Sequence, residues 1–359
     1  MHSPSDRTRF LAYLIALSLF FSVAENMLIH PLPFLRYGFA MIPMLYALDK
    51  LSFKEYMLLS LGKWLASTLS QGTMLSPFSV IALSSSVICA IVMYILYKAF
   101  NRYISLYTIS LVSAIVSTFT QLFVASLFLG SALLRLSIVM LPLSELTSII
   151  TAFLAKHLKL NSEPPIINNS DERHDNPATV ILHIICALLV FFVKEPLFLL
   201  LIFSISIVLS LVQKRKVLWI NYSITLIAII ICNLFSQNGE VLFSFVTKGA
   251  LEEGIVKGLQ LISLVAISQS FAALKLKGSS FLSDVFSYNA AFISNFSNTD
   301  EKLFKRIEMA LCLEEGMVVK LKERERSKYL IPILVLLLAI EILEILLWPR
   351  SELFYKLRN

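Results

Sequence analysis

The chain has 359 residues, of which 57% are hydrophobic and 15% are charged, and its mean hydropathy is +0.78. This composition excludes an ordinary soluble domain and predicts a membrane protein with several spans. The net charge of +7 would suit nucleic acid, but most Lys and Arg residues stand beside apolar segments, where they act as orientation signals. We therefore expect the lipid bilayer, and no nucleic acid, as a partner.

Six apolar segments in the first half are long enough, or nearly so, to cross a bilayer. They cover residues 10–24, 33–49, 55–71, 77–97, 103–130 and 133–156. Several are short for a span, and a short span survives only where neighbouring protein covers its backbone ends. Residues 1–158 are therefore predicted to form a compact bundle of about six helices.

The basic residues between these segments recur on one side of the membrane. They are Arg7, Arg9, Lys50, Lys54, Lys98, Arg102, Lys156 and Lys159. Short loops rich in Lys and Arg face the cytoplasm, so the N terminus is predicted to be cytoplasmic.

Residues 159–177 are polar and include the adjacent prolines Pro164 and Pro165, which predicts a linker. Residues 178–359 then form a second module with about five spans. These spans cover residues 179–193, 197–213, 217–235, 249–274 and 329–348. The basic loops at 214–216 and 275–277 again face the cytoplasm if the linker does.

Residues 275–328 are neither a span nor a plain linker. Apolar side chains recur there near helical spacing, with charged residues between them. The apolar positions are Phe281, Val285, Tyr288, Phe292, Phe296, Phe304, Ile307, Leu311, Val318 and Leu321. We predict two amphipathic helices over about 279–326 that rest on the cytoplasmic face of the bilayer and offer charged side chains to a soluble partner. An ordinary juxtamembrane loop is the alternative.

The sequence lacks the motifs of several enzyme classes. It has no Gly-x-x-x-x-Gly-Lys-Ser/Thr loop for ATP, its six aspartates form no paired cluster for magnesium on a diphosphate, and its five histidines show no ligand spacing. Its cysteines, Cys89, Cys186, Cys232 and Cys312, share no close spacing. We therefore predict that the chain is not an enzyme and itself binds no metal or cofactor.

Polar residues inside spans or at their mouths are costly in a bilayer and so carry functional information. In the first half these residues are Glu25, Asn26, Arg36, Lys63 and Gln121. Together they could form a pocket for a small polar or anionic solute. The alternatives are that Glu25 and Arg36 are helix-end charges, that Lys63 extends to the interface, and that Gln121 bonds a neighbouring helix. In the last span, Glu341 and Glu344 are expected to face other helices.

A resemblance adds to this interpretation of the first half. The run from Ala24-Glu25-Asn26 to Pro31-Leu32-Pro33, then Arg36-Tyr37-Gly38, Lys63 and Gly72, resembles the Gx transporter family, often labelled heptaprenyl diphosphate synthase component I. Members look like the substrate-binding S components of energy-coupling factor transporters. The resemblance covers roughly residues 8–157 and implies that Glu25, Asn26, Arg36, Lys63 and Gln121 bind a vitamin-like solute. The family has a Ser-Gly-Gly run where this chain has Ser84-Ser85-Ser86, and it has a His-Asn pair that this chain lacks. These departures bear on which substrate is bound more than on the fold.

The second half resembles the T component of the same transporters, in which paired cytoplasmic coupling helices precede a final span. The Ala-Arg-Gly type signature of those helices is absent. Its nearest substitutes are Glu314-Glu315 and the run from Lys322 to Ser327. The resemblance therefore implies ATPase contacts at Glu314, Glu315, Lys322, Arg324 and Arg326.

Together these resemblances imply an all-α S–T fusion in a bacterial cytoplasmic membrane. Two separate cytoplasmic ABC ATPase subunits would bind ATP and magnesium and drive uptake of the solute. The alternatives are a non-catalytic membrane component of a polyprenyl diphosphate synthase, and a membrane scaffold without transport.

Overall fold

The computed structural model describes most of the apolar sequence. The described residues are 4–26, 38–100, 102–129, 134, 137–157, 168–169, 177–213, 217, 219–234, 241–243, 246–272, 274, 280–297, 307, 311, 318–319 and 329–358. Within them the fold is helical, apart from two pairs of strands that are two or three residues long. The prediction of an all-α architecture is confirmed.

The first half is a bundle of helices joined by short turns. Its elements are α1 (Pro4–Asn26), a 3-10 turn (Phe39–Met41), α2 (Ile42–Ala47), α3 (Phe53–Gln71), α4 (Pro77–Phe100), α5 (Leu106–Leu129) and α6 (Ser137–His157). Helix α3 shows why the boundaries fall where they do. The backbone N–H of Ser52 donates to the Glu55 carboxylate over 2.9 Å, which caps the helix start. Gly72, at φ 68°, ends the helix in the left-handed conformation.

The second predicted span, residues 33–49, is wrong in its described part. Residues 38–51 form the 3-10 turn, the six-residue helix α2 and a further turn. Six helical residues extend about 9 Å, far short of a bilayer core. The apolar character of this segment is explained by protein packing, because Ile42, Met44 and Leu45 are at most 3% exposed.

The second half has α10 at its centre. Its helices are α7 (Pro177–Val190), α8 (Pro196–Val212), α9 (Trp219–Leu234), α10 (Lys248–Phe271) and α12 (Leu330–Arg358), and α11 (Ser280–Ser297) stands before the last of them. Helix α10 packs on α7, α8 and α9, and α12 packs on α7 and α8. Gly254 and Gly258 on α10 face α9 closely enough that an added Cβ would meet Ile230 and Leu226.

Short strands connect distant segments. Strand β1 (Asn168–Asn169), within the predicted linker, pairs in parallel with β4 (Val318–Val319). Strands β2 (Val241–Phe243) and β3 (Val246–Thr247) form an antiparallel pair ahead of α10. Val318 was predicted on an amphipathic helix, and its place in β4 corrects that prediction. Two adjacent β-branched residues suit an extended strand better than a helix.

The described helices are those of a multi-pass membrane protein. Five are long and apolar enough to cross a bilayer: Asp6–Glu25, Pro77–Phe100, Leu106–Phe128, Ser137–His157 and Leu330–Leu347. Helices α7, α8 and α9 are apolar but shorter. Many large apolar side chains on these helices are exposed, as a lipid-facing surface requires.

Candidate functional site

Glu25, the penultimate residue of α1, joins this helix to the turn before α2. Its two carboxylate oxygens accept the backbone N–H groups of Gly38 and Phe39, over 3.1 and 3.2 Å. Gly38 has φ 83°, a conformation that glycine adopts without strain. Glu25 is 3% exposed, so it caps this turn inside the protein rather than reaching into water.

Lys63 reaches the same turn from α3. It is 6% exposed, and its Nζ lies 3.1 Å from the sulfur of Met41, at the end of the 3-10 turn. The charge of Lys63 also acts on the thiol of Cys89 on α4. Glu25 on α1 and Lys63 on α3 therefore both contact the turn formed by residues 38–41. We call residues 25, 38–41 and 63 the polar junction.

Gln121 lies on a neighbouring seam between α4 and α5. Its Nε2 lies 3.2 Å from Ser117 Oγ and 3.5 Å from Ser85 Oγ. Ser85 precedes Cys89 by one helical turn, which is roughly 6 Å along α4. The contact with Ser85 on α4 is the interhelical kind that we gave as the alternative role of Gln121, whereas Ser117 lies on the same helix, α5.

The remaining predicted site residues are only partly described. Asn26 is the last residue of α1. Arg36 and the five predicted ATPase-contact residues, Glu314, Glu315, Lys322, Arg324 and Arg326, lie outside the described residues.

Sequence reasoning missed several polar partners around the polar junction. Trp64 Nε1 donates to the carbonyl of Ser79 over 2.9 Å, and Ser60 donates to the carbonyl of Ser86 over 2.9 Å. Met41 and Cys89 were not predicted either. The triple serine at 84–86 and the tryptophan beside Lys63 were the available signals, because small hydroxyl residues let membrane helices approach closely.

The apolar face of α11 covers α1. Tyr13 stacks edge-on against Tyr288 and Phe292, with ring centroids 5.8 and 5.6 Å apart. Phe20 contacts Phe292 and Phe296, each with centroids 5.6 Å apart. Residue numbers rise in the same direction along α1 and α11 in these pairings, so the two helices run parallel. The predicted amphipathic helix over this stretch exists, but its apolar face packs on the first half instead of the bilayer.

A second contact between the halves lies at the loop between α3 and α4. The backbone N–H of Leu75 donates to Ser268 Oγ over 3.0 Å, and Leu75 packs against the apolar core of the second half. Beside it, Tyr222 donates to the side chain of Gln269 over 2.5 Å. The loop at 72–76 is thus fitted against the C-terminal end of α10.

A third contact joins the C-terminal half of α5 and the N-terminal turn of α6 to α9. Leu122, Ala125 and Met140 form a small apolar cluster, and Cys232 near the end of α9 packs against it. Apart from these contacts, the α1–α11 face, and Ile307 and Leu311, which join the core of the first half, each half keeps an apolar core of its own among the described residues.

Two family models match this chain. Residues 14–158 match the family described as heptaprenyl diphosphate synthase component I, the label that the sequence resemblance also gave. Residues 178–273 match a domain of unknown function, DUF8519, and give no support for a T component there. No curated protein and no solved structure matches the chain.

Proposed function

We propose that the chain is the membrane part of an energy-coupling factor importer, in which the first half captures a small solute and the second half couples it to two cytoplasmic ABC ATPases. The chain itself would then catalyse no reaction and bind no ATP or magnesium. The polar junction and Gln121 stand where the resemblance puts the solute site. The bacterial cytoplasmic membrane, with the N terminus inside, is the location that this function requires.

One observation carries the proposal. The basic loops at Lys50 and Lys98 put the ends of α3 and α4 that they flank in the cytoplasm, which assigns the 72–76 loop to the outer face. The same rule assigns the C-terminal end of α10, just before Lys275, to the inner face. Yet Leu75 and Ser268 are hydrogen-bonded. An outer loop can touch an inner helix end only if the first bundle is tipped relative to the second.

The other two contacts agree with a tipped first bundle. The Cys232 end of α9 belongs to the outer face by the same rule, and it meets α5 and α6. One end of the first bundle thus contacts the second half at both membrane faces, so its axis crosses the helices of the second half. Helix α1 lies along α11, the helix that we expect at the cytoplasmic surface.

The mechanism we propose is mechanical. ATP binding would close the ATPase pair and move the segment that follows α10. Helix α11 would transmit this motion to α1 through the aromatic contacts, and the first bundle would turn between an upright, outward-open state and the tipped state that releases solute inside. Glu314, Glu315, Lys322, Arg324 and Arg326 are the proposed ATPase contacts, through charge-assisted hydrogen bonds.

A reversible cross-link tests the motion. L75C with S268C should form a disulfide in membranes, because their hydrogen bond puts the backbones within disulfide reach. Oxidation should stop uptake of whatever solute mass spectrometry finds bound to the purified chain, and reduction should restore it. S110C with S148C is the matched control, since Ser110 bonds the carbonyl of Ser148 within the first bundle. Undiminished uptake by fully cross-linked L75C/S268C would refute tipping.

Copurification tests the partners. The full chain should carry two ABC ATPase subunits, and R324A/R326A should lose them. The description of the family matched by residues 14–158 supports one alternative, a non-catalytic membrane component of a polyprenyl diphosphate synthase. Recovery of a prenyl synthase subunit, and no ATPase, would favour that alternative.

A further inference from the structure

Helix α12 carries a carboxyl group with unusual surroundings in the core of the second half. Glu341 is 0% exposed, and within the described part of the chain neither of its oxygens has a hydrogen-bond partner that meets normal geometry. The polar group that faces it is the thiol of Cys186 on α7. An ionised carboxylate in such a place would be very costly unless a cation or several donors surrounded it.

The neighbouring helices supply no cation. Helix α12 packs on α7 and α8, and neither of those helices contains Lys or Arg. The span of α12 itself, Leu330–Leu347, has Glu344 as its other charged residue. The titratable side chains of α7 are His183 and Cys186, and α8 has none.

His183 is already engaged elsewhere. Its Nδ1 lies 2.8 Å from the carbonyl of Thr179, and its Nε2 lies 2.9 Å from Ser270 Oγ. A carbonyl oxygen only accepts, so Nδ1 carries a hydrogen, and Nε2 accepts from the serine hydroxyl in the neutral ring. Both ring nitrogens are thus used, and neither serves Glu341.

One arrangement of hydrogen atoms gives a hydrogen-bond partner to both the Cys186 thiol and the Glu341 carboxyl. The Cys186 Sγ lies 3.8 Å from the carbonyl of Leu334, to which it donates its single hydrogen. Cys186 therefore has no hydrogen left for Glu341, but its sulfur can accept one. A protonated Glu341 would donate to Cys186, which donates to Leu334, and the chain of donors and acceptors would be complete.

We propose that Glu341 is a proton-binding site in the membrane core of the second half, and that its bound proton holds α12 against α7. The bound species is a proton. No described residue places a positive charge beside Glu341 that could neutralise its carboxylate instead. Opening of the α7–α12 seam would let water reach the carboxyl and release the proton. Alkaline conditions therefore favour the open seam, which adds a pH-sensitive step to whatever motion the second half performs.

Glu344, one turn further along α12, provides a matched control. It is also buried, at 1% exposed, but its Oε1 accepts the backbone N–H groups of Lys194 and Glu195 over 3.1 and 3.3 Å. Its Oε2 is buried and, like both oxygens of Glu341, has no hydrogen-bond partner among the described residues. The two glutamates share a helix and burial, but Glu344 has two backbone donors on one oxygen and Glu341 has none on either.

Infrared spectroscopy of the full chain in vesicles tests the site, because protonated and ionised carboxyls absorb in separate regions. At neutral pH, E341Q should remove the band of a protonated carboxyl that wild type shows, whereas E344Q should retain that band. Loss of a carboxylate band in E341Q would overturn the proposal. Glu341 must absorb in one region or the other, so the comparison always decides.

Thermal unfolding in the same vesicles tests the effect on α12. Glu341 binds a proton in the folded protein and is ionised once exposed at neutral pH, so stability from this group falls as pH rises. The melting temperature of wild type should therefore drop between pH 6 and pH 9 by more than that of E341Q, whose amide cannot ionise. Equal drops in melting temperature in the two proteins would show that the proton on Glu341 does not hold α12 against α7.

Discussion

Gly72 lies directly against Gln269, so that a methyl group at position 72 would stand 2.8 Å from the Gln269 Cα. That distance is too short for two carbon atoms, and backbone cannot move aside as cheaply as the tip of a side chain. Two requirements thus coincide at Gly72. The left-handed turn at φ 68° needs glycine, and so does the close approach of the two halves.

Replacement of Gly72 with alanine should therefore weaken the contact between the halves. The left-handed conformation costs an L-residue about 1–2 kcal/mol, and the clash with Gln269 adds to it. We expect G72A to lower the melting temperature and to reduce the yield of the L75C–S268C disulfide. Both are measured on membranes from matched expression levels.

Gly38 is the control for that experiment. It has φ 83°, yet a Cβ there would meet no atom of the described residues within 4 Å. G38A should carry the cost of the left-handed turn without a clash and should leave the L75C–S268C yield unchanged. If G38A lowers that yield as much as G72A does, the effect of Gly72 is general strain and not contact with Gln269.

Glu25 should matter for stability whether or not it binds solute. E25A leaves the N–H groups of Gly38 and Phe39 without this acceptor in a half-buried turn, a loss of at most about 1–3 kcal/mol for each group that finds no replacement. E25Q keeps one acceptor oxygen and should lose less. Melting temperatures of the purified variants check the order wild type, E25Q, E25A. An E25A protein as stable as wild type would show that the turn does not depend on this cap.

The helices could be predicted from the sequence because hydropathy is a local property of the chain. The same signal misled over residues 33–49, since Ile42 and Met44 are apolar for burial in protein and not for contact with lipid. Periodicity likewise indicated that one side of α11 is buried, as Val285 and Phe292 show, but not that α1 covers it. Glu341 was expected to face other helices, and it does.

The partners of the site residues could not be predicted, because they are distant in sequence. Lys63 meets Met41, and Leu75 meets Ser268, 193 positions away. No local pattern encodes such pairs. The sequence did mark which residues are costly to bury, and two of them, Glu25 and Lys63, are buried in the structure. Their role in binding solute stays a prediction.

Helix α10 should be sensitive to size at Gly254. An added Cβ there would lie 3.3 Å from the Cα of Ile230 and 3.2 Å from the Cβ of Asn233, so larger side chains must push α9 away. At Gly258 the Cβ would meet the tip of Leu226, which can rotate aside. We expect G254V to destabilise the protein more than G258V does, and L226A to rescue G258V. Thermal unfolding of the four variants measures both effects, and rescue of G254V by L226A would contradict this account.

The aromatic contact between Phe20 and Phe292 should carry much of the hold of α1 on α11. Both rings are at most 1% exposed, and truncation of a buried Phe costs about 3–5 kcal/mol. A double-mutant cycle of F20A and F292A should give a coupling of about 0.5–1.5 kcal/mol, the usual strength of an aromatic pair. F123A is the control, because Phe123 is 61% exposed on the outside of α5 and its loss should change stability little. If F20A and F292A are additive, the two helices are held by their other contacts, and motion of α11 would reach α1 by a different route.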